Sequence, residues 1–213
     1  MRLTKYGHAC VRLEKDSGVL VIDPGAFSDP RVLDGADAVL ITHEHLDHVA
    51  VDVIEAAVRA RPQMRVWTHT AVAGLLGALE SQVTTVDTGE EFTAAGFRVR
   101  AVGGEHAVIH PDIPVCRNLG FLIEEGAVYH PGDSLALPGT EVEVLLLPVA
   151  APWLKLAEAA DFARTVAPKR ALPIHDAILS AAGLSVVDRL LGGLLREHTE
   201  YARIDTDEGV EIA

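Results

Sequence analysis

The chain has 213 residues, 49% of them hydrophobic and 23% charged, a balance that excludes a disordered or fibrous protein and leaves room for one domain with a sizeable core. A formal net charge of −13, with no stripe of Lys or Arg, excludes a nucleic acid as the expected main partner, because nothing is present to replace its condensed counterions. No apolar stretch is long enough for a membrane span and the start "MRLTKYGHAC" has no signal-like core, so no membrane association and a cytoplasmic location are expected.

In chain order, "RLTKYGHACVRLE" reads as strand, "KDSG" as a turn, and "VLVIDPG" and "ADAVLITH" as two more strands. The last two are apolar runs that end at once in polar residues, the way buried strands deliver chemistry to a sheet edge. "VDVIEAAVRARP" has helical spacing, with Val51, Ile54 and Val58 on one face, and Pro62 closes it. A strand, "QMRVWTH", and a helix, "AVAGLLGALES", follow. "VTTVDTGEEFTAAGFRVRAVGG" suggests a meander, and "NLGFLIEEGAVYHPGDS" a hairpin turning at Glu125 and Gly126. The last third alternates strand "EVEVLLLPVA", helix "LAEAADFARTVAP", strand "KRALPIH" and helix "LSVVDRLLGGLLREH", ending in a hairpin, "YARIDTDEGVEIA".

Each half thus contains a meander followed by strand, helix, strand and helix, with no Pro, Gly or Ser-rich linker between. The expectation is one α/β domain over 1–213, a four-layer αββα sandwich of two mixed sheets with outer helices. "HPDIPVCRN" is the longest irregular stretch, and such a loop in a compact domain is more often functional than idle.

The chemistry concentrates in "LITHEHLDH". His43, His45, Asp47 and His48 are the ligand types that zinc, manganese or iron accept, and three of the ten histidines fall within six residues. Leaving a strand, the four cannot all point one way, so one metal can take the first pair and a second metal the other. A helix cap formed by Glu44 and Asp47, with incidental histidines, explains the crowding less well. Further candidates follow other strands: His106 after a Gly pair, with His110 as its rival, Asp133 behind a Pro-Gly turn, and His175 at the end of "RALPIH".

Some residues are candidates for supporting or substrate-contacting roles. His8 and Cys10, two apart, are read as sharing a strand face toward the pocket, and His130 as a partner of the Asp133 turn. Arg117 and Asn118 are candidates to meet an anionic substrate group. His69 reads as a cap or surface residue, and Ser134 as a local hydrogen-bonding residue. Cys10 and Cys116 are too few and too far apart for a disulfide framework or a zinc knuckle, and are assigned to packing.

These motifs resemble the metallo-β-lactamase fold superfamily, in the branch related to ascorbate-6-phosphate lactonase and uncharacterised bacterial metal-dependent hydrolases. The resemblance runs through "YGHACVRLE", "VLVIDPG", "ITHEHLDH", "EHAVIHPDIPVCRNLGFLIEEGAVYHPGDS" and "EAADFARTVAPKRALPIH", nearly the whole chain. It implies a first metal on His43, His45 and His106, a second on Asp47, His48 and His175, and Asp133 bridging them. Where relatives often carry a Gly pair after "LPV", this chain reads "VAAPWLK", so Trp153 and Lys155 are expected at the mouth of the site.

Two divalent ions, zinc foremost, against two carboxylates leave a net positive centre that suits an anionic or polarised small-molecule substrate. A metal-bound hydroxide, from water of pKa about 7, is then the nucleophile for an ester, lactone or phosphodiester, with Asp47 as the catalytic residue that orients it and shuttles its proton. The alternatives are a mononuclear iron persulfide dioxygenase on the same fold and a non-enzymatic metal-binding module. A diiron oxidoreductase is disfavoured by His45, where such members carry Glu, and an RNA-processing nuclease by the lack of an inserted domain or basic run. Assembly into a homo-oligomer is left open.

Overall fold

The computed structural model describes residues 1–212. The first half of the chain contains β1 (Arg2–Lys5), β2 (Val11–Lys15), β3 (Gly18–Ile22), β4 (Ala38–Leu40), α1 (Val51–Ala60), β5 (Arg65–Thr68), α2 (Thr70–Leu75) and β6 (Val83–Thr85). The second half contains β7 (Glu91–Ala94), β8 (Phe97–Glu105), β9 (Arg117–Ile123), β10 (Val128–His130), β11 (Val144–Pro148), α3 (Leu156–Val166), β12 (Arg170–Ile174), α4 (Ala181–Leu195), β13 (Glu200–Tyr201) and β14 (Gly209–Glu211). Among the described residues the strands form two seven-stranded sheets, β14-β1-β2-β3-β4-β5-β6 and β13-β12-β11-β10-β9-β8-β7.

Residue alternation builds the layers. Successive strand residues face opposite ways, so Leu20 and Ile22 of β3 enter the core between the sheets while Val21 faces outward. In β11, Val144 and Leu146 likewise point inward, and Leu145 and Leu147 outward. The central core joins Leu3, Leu13 and Leu40 to Phe97, Phe121 and Leu172. Ile54 and Val58 of α1 and Val72 of α2 cover the outer face of the first sheet. Phe162 and Ala163 of α3 and Leu191 and Leu195 of α4 cover that of the second. The result is the expected four-layer αββα sandwich. Truncating a fully buried residue such as Leu146 to Ala removes about 2–5 kcal/mol of stability.

Each sheet runs antiparallel on one side and parallel on the other: β3 to β6 are parallel, as are β10 to β13. The parallel strands release their carboxyl ends at one edge of the sandwich, where the candidate ligands lie.

Four local expectations are corrected. The opening run is two strands, because Gly7 (φ 103°) and His8 (φ 48°) take left-handed backbone and close a turn in which the Cys10 amide donates to the Gly7 carbonyl at 2.8 Å. His8 and Cys10 therefore do not share a strand face, and Cys10 packs into the outer core of the first sheet. The second helix stops at Leu75, followed by a short 3-10 turn at Gly77–Leu79, in a stretch where Gly74 and Gly77 weaken helical propensity. The middle meander is divided: β6 pairs with β5 in the first sheet, while β7 and β8 form a hairpin in the second. The closing segment is no hairpin either, since β13 pairs with β12 and β14 crosses the sandwich to pair with β1. Residue 213, the last of that segment, lies outside the described residues.

Candidate metal centre

The loop after β4 sets the first four candidates. His48 and Val49 donate their amides to the His45 carbonyl at 2.9 and 3.0 Å, curling the chain just before α1. Gly25 lies beneath this turn, and a Cβ there would stand 1.8 Å from the Asp47 carbonyl oxygen, so the approach requires glycine. His106 follows β8, Asp133 follows β10 and His175 follows β12.

Two groups result. Ligand-type atoms of His43, His45, His106 and Asp133 all lie within 4.8 Å of one another, as do those of His8, Asp47, His48 and His175. Asp133 also reaches the second group: Oδ1 is 3.1 Å from His48 Nε2 and Oδ2 is 3.1 Å from His175 Nε2, with His106 Nε2 at 3.4 Å. Within the first group, His43 Nε2 lies 3.0 Å from His45 Nδ1. The Nε2 atoms of His48, His106 and His175 and Oδ1 of Asp133 are buried without a hydrogen-bond partner.

The outer ring nitrogens explain that inward arrangement. His48 Nδ1–H donates to Asp23 Oδ2 at 2.7 Å, His175 Nδ1–H to the Ala150 carbonyl at 2.6 Å, and His106 Nδ1–H to the Ala107 carbonyl at 2.5 Å. His43 Nδ1 lies 2.9 Å from Thr42 Oγ1, which itself donates to Asp23 Oδ2 at 2.7 Å. A histidine that donates through Nδ1 turns the lone pair of its neutral Nε2 inward, the form that binds a cation. Buried, unpartnered imidazole and carboxylate atoms converging on one place fit divalent metal ions; a purely structural cluster would leave this desolvation uncompensated.

Electrostatics agree. Burial opposes a charge on His48, but the carboxylates of Asp133 and Asp23 outweigh it and lift its pKa to about 10. His175 rises to about 9 against the same opposition, through Asp133 and Asp47. Burial also opposes ionisation of Asp47 and Asp133, and the surrounding imidazoles outweigh it, holding both well below the usual carboxylate range. His43 and His45 are lowered, first by burial and then by neighbouring histidines. The carboxylates thus seek positive charge, which protons or metal ions can provide.

His8 lies in the second group but is placed differently. Its Nδ1 accepts from the Ala177 amide at 3.2 Å, so Nε2 carries the hydrogen and donates to Asp47 Oδ2 at 3.1 Å. It thereby holds Asp47 and presents no inward lone pair. Trp153 Nε1–H donates to Asp133 Oδ2 at 2.8 Å, and its ring stands edge-on to His106. Lys155 instead occupies the start of α3, exposed beside Glu158.

Several expectations about neighbouring residues change. Asn118 is fully buried; its Nδ2 donates to the Pro131 carbonyl and its Oδ1 accepts from the Asp133 amide, so it shapes the turn under Asp133 and does not meet a substrate. Arg117 pairs with Asp87 at 2.5 Å. His130 bonds Ala9 and Gly132, tying the Asp133 turn to the His8 turn. His110 is largely exposed and accepts from the Asp112 amide. His69 caps α2, although it is buried and not at the surface, and Ser134 makes its local bond to Ala136. Cys116 is half-buried, with Sγ 3.9 Å from His45 Nε2.

Asp23 and Thr42 were not singled out by the sequence reading. The signal was the acid directly after the apolar run "VLVI", but an Asp before Pro-Gly reads as a turn.

A model of the beta-lactamase superfamily domain matches residues 2–175. The chain belongs to the beta-lactamase superfamily. Within that superfamily it is 42% identical to protein Rv0786c of Mycobacterium tuberculosis, over 84% of this chain and 86% of the other. It is 28% identical to a UPF0173 metal-dependent hydrolase of Aeropyrum pernix, over 82% and 81% of the two chains. The superfamily fold is shared with Igni18, a metallo hydrolase of Ignicoccus hospitalis, at a TM-score of 0.76 and 20% identity, covering 98% and 97% of the respective chains. Among the described residues no helix is long and apolar enough to cross a membrane.

Proposed function

We propose that this superfamily member is a metal-dependent hydrolase with a dinuclear centre, acting in the cytoplasm on a small-molecule ester, lactone or phosphodiester. The observation that carries the reading is the convergence of three buried, unpartnered Nε2 atoms, from His48, His106 and His175, around the carboxylate of Asp133. His43, His45 and His106 would hold one cation and Asp47, His48 and His175 the other, with Asp133 reaching both. The imidazole-rich set favours zinc, with manganese or iron also accommodated.

Such ions, when bound, supply Lewis acidity and lower the pKa of water to about 7. The chain's own residues supply orientation. Asp23 and the Ala150 and Ala107 carbonyls fix the imidazole planes. Trp153 steadies Asp133, and His8 steadies Asp47. Asp47, less deeply buried than Asp133, is placed to accept a proton from an attacking water and pass it on. The name of the Aeropyrum protein, a metal-dependent hydrolase, supports the hydrolase part of the reading.

The test combines metal analysis with a panel of phosphodiesters, lactones and esters, followed by hydrolysis and by oxygen uptake. Two equivalents of metal, hydrolysis of at least one class and its loss in Asp47→Ala are expected. Oxygen consumption in place of hydrolysis, or full activity of Asp47→Ala, would overturn the reading.

A further inference from the structure

Among the described residues twelve large apolar side chains are exposed, and seven of them, among them Phe27, Leu46, Ile113, Val115 and Ile178, belong to loops that carry a metal-centre residue or, for Phe27, the Asp23 that orients His48. Phe27 follows Asp23 and meets the edge of the His8 ring at 5.3 Å between centroids. Leu46 sits between His45 and Asp47 with 63% of its surface exposed. Ile113 and Val115 wall a small cavity together with His45, His106 and Cys116. Ile178 adjoins Ala177, whose amide binds His8.

One exposed leucine needs no explanation, but large apolar residues on several loops that all lead to one cluster of metal-type side chains are the kind of surface that marks a binding site. Several charged residues of the same loops are engaged with one another, as Asp29 is with Arg31 at 2.5 Å. Glu44 faces His69 at 3.5 Å, while His110 and Asp112 extend into solvent. Phe27 against His8, and Ile113 and Val115 beside His45 and His106, put apolar surface next to both groups of metal-type residues. Apolar contact also provides affinity that the strongly acidic chain does not offer a small anion at long range.

Resting on the proposed hydrolase function, we infer that the substrate joins its scissile polar group to an apolar body, an acyl chain or a hydrophobic ring, which packs on Leu46, Ile113, Val115 and their neighbours. The cleaved group sits at the metal centre and the apolar body extends across the rim. A compact, wholly polar substrate would leave these side chains in water.

The test is calorimetric binding of straight-chain carboxylates, acetate to octanoate, to protein shown by metal analysis to be loaded. The dissociation constant should fall about two- to fourfold per added methylene, the range expected for partial to full burial of each group. The double variant Ile113→Asn, Val115→Asn should flatten that dependence, and Val186→Asn, on the exposed face of α4, should keep it. Acetate binding with no dependence on chain length overturns the inference alone and leaves the hydrolase reading standing. No binding by any carboxylate overturns both the inference and the anion-accepting centre behind it. A flat series together with self-association that the double variant abolishes would reassign the rim to contact between copies, and overturn the inference.

Discussion

Asp23 Oδ2 accepts the Nδ1–H of His48 at 2.7 Å, and both side chains are fully buried. Asp23 also accepts from the amide and hydroxyl of Thr42, so one carboxylate orients His48 directly and His43 through Thr42. Replacing Asp23 with Asn turns an N–H toward His48 Nδ1 and disfavours the tautomer whose Nε2 lone pair faces inward. Affinity for a divalent ion should fall about 10- to 100-fold, read by competition with a chelator. An unchanged affinity would show that His48 is oriented by packing alone.

His8 and His175 separate holding a carboxylate from holding a cation. His8→Ala should keep the full metal complement, because its Nε2–H is given to Asp47, and should lower kcat through a misplaced Asp47. His175→Ala should lose one equivalent. Elemental analysis of the two purified variants checks the contrast, and loss of metal from His8→Ala would make His8 a ligand.

The raised pKa values of His48 and His175, about 10 and about 9, set the pH dependence of metal uptake. A group with a raised pKa keeps its proton below that value, so cations compete with protons throughout the neutral range. Apparent affinity should rise with pH by up to about tenfold per unit for each proton displaced, and level off above those values. Calorimetry in buffers of different ionisation enthalpy counts the protons released; none released would contradict the charge balance drawn for the centre.

Behind His175, Lys5 Nζ is buried and bonds Asp176 at 2.6 Å and the Pro173 carbonyl at 3.1 Å, while Arg203 pairs with Asp176 and Asp188. Burial lowers the Lys5 pKa despite Asp176. Asp176→Ala strands a buried ammonium and should cost about 3–5 kcal/mol in urea denaturation. Lys5→Met, which leaves Asp176 paired with Arg203, should cost much less. Equal losses would mean that Lys5 contributes mainly by charge.

Much of the site was legible because ligands cluster where short-range order is strong. An apolar run that ends in "THEHLDH" announces both a buried strand and the chemistry at its edge, and "RALPIH" repeats the pattern for His175. The errors fell where a local pattern admits two outcomes. "KYGHAC" has the alternation of a strand, yet two left-handed residues fold it into the turn that carries His8. "YARIDTDEGVEIA" has the outline of a hairpin, yet its two strands serve different sheets.

Sequence alone determined the αββα layering and the identity of the metal-type residues, since residue alternation and the composition of strand ends are local properties of the chain. Tertiary structure decided that Asp23 serves His48, that His8 donates to Asp47, that Trp153 reaches Asp133, and that Asn118 supports a turn and not a substrate. Those pairings join residues 15 to 39 positions apart, or bring a loop amide to a distant ring. They depend on how two sheets meet at one edge, and a hydrogen bond formed across that edge leaves no periodic trace in either partner's own neighbourhood.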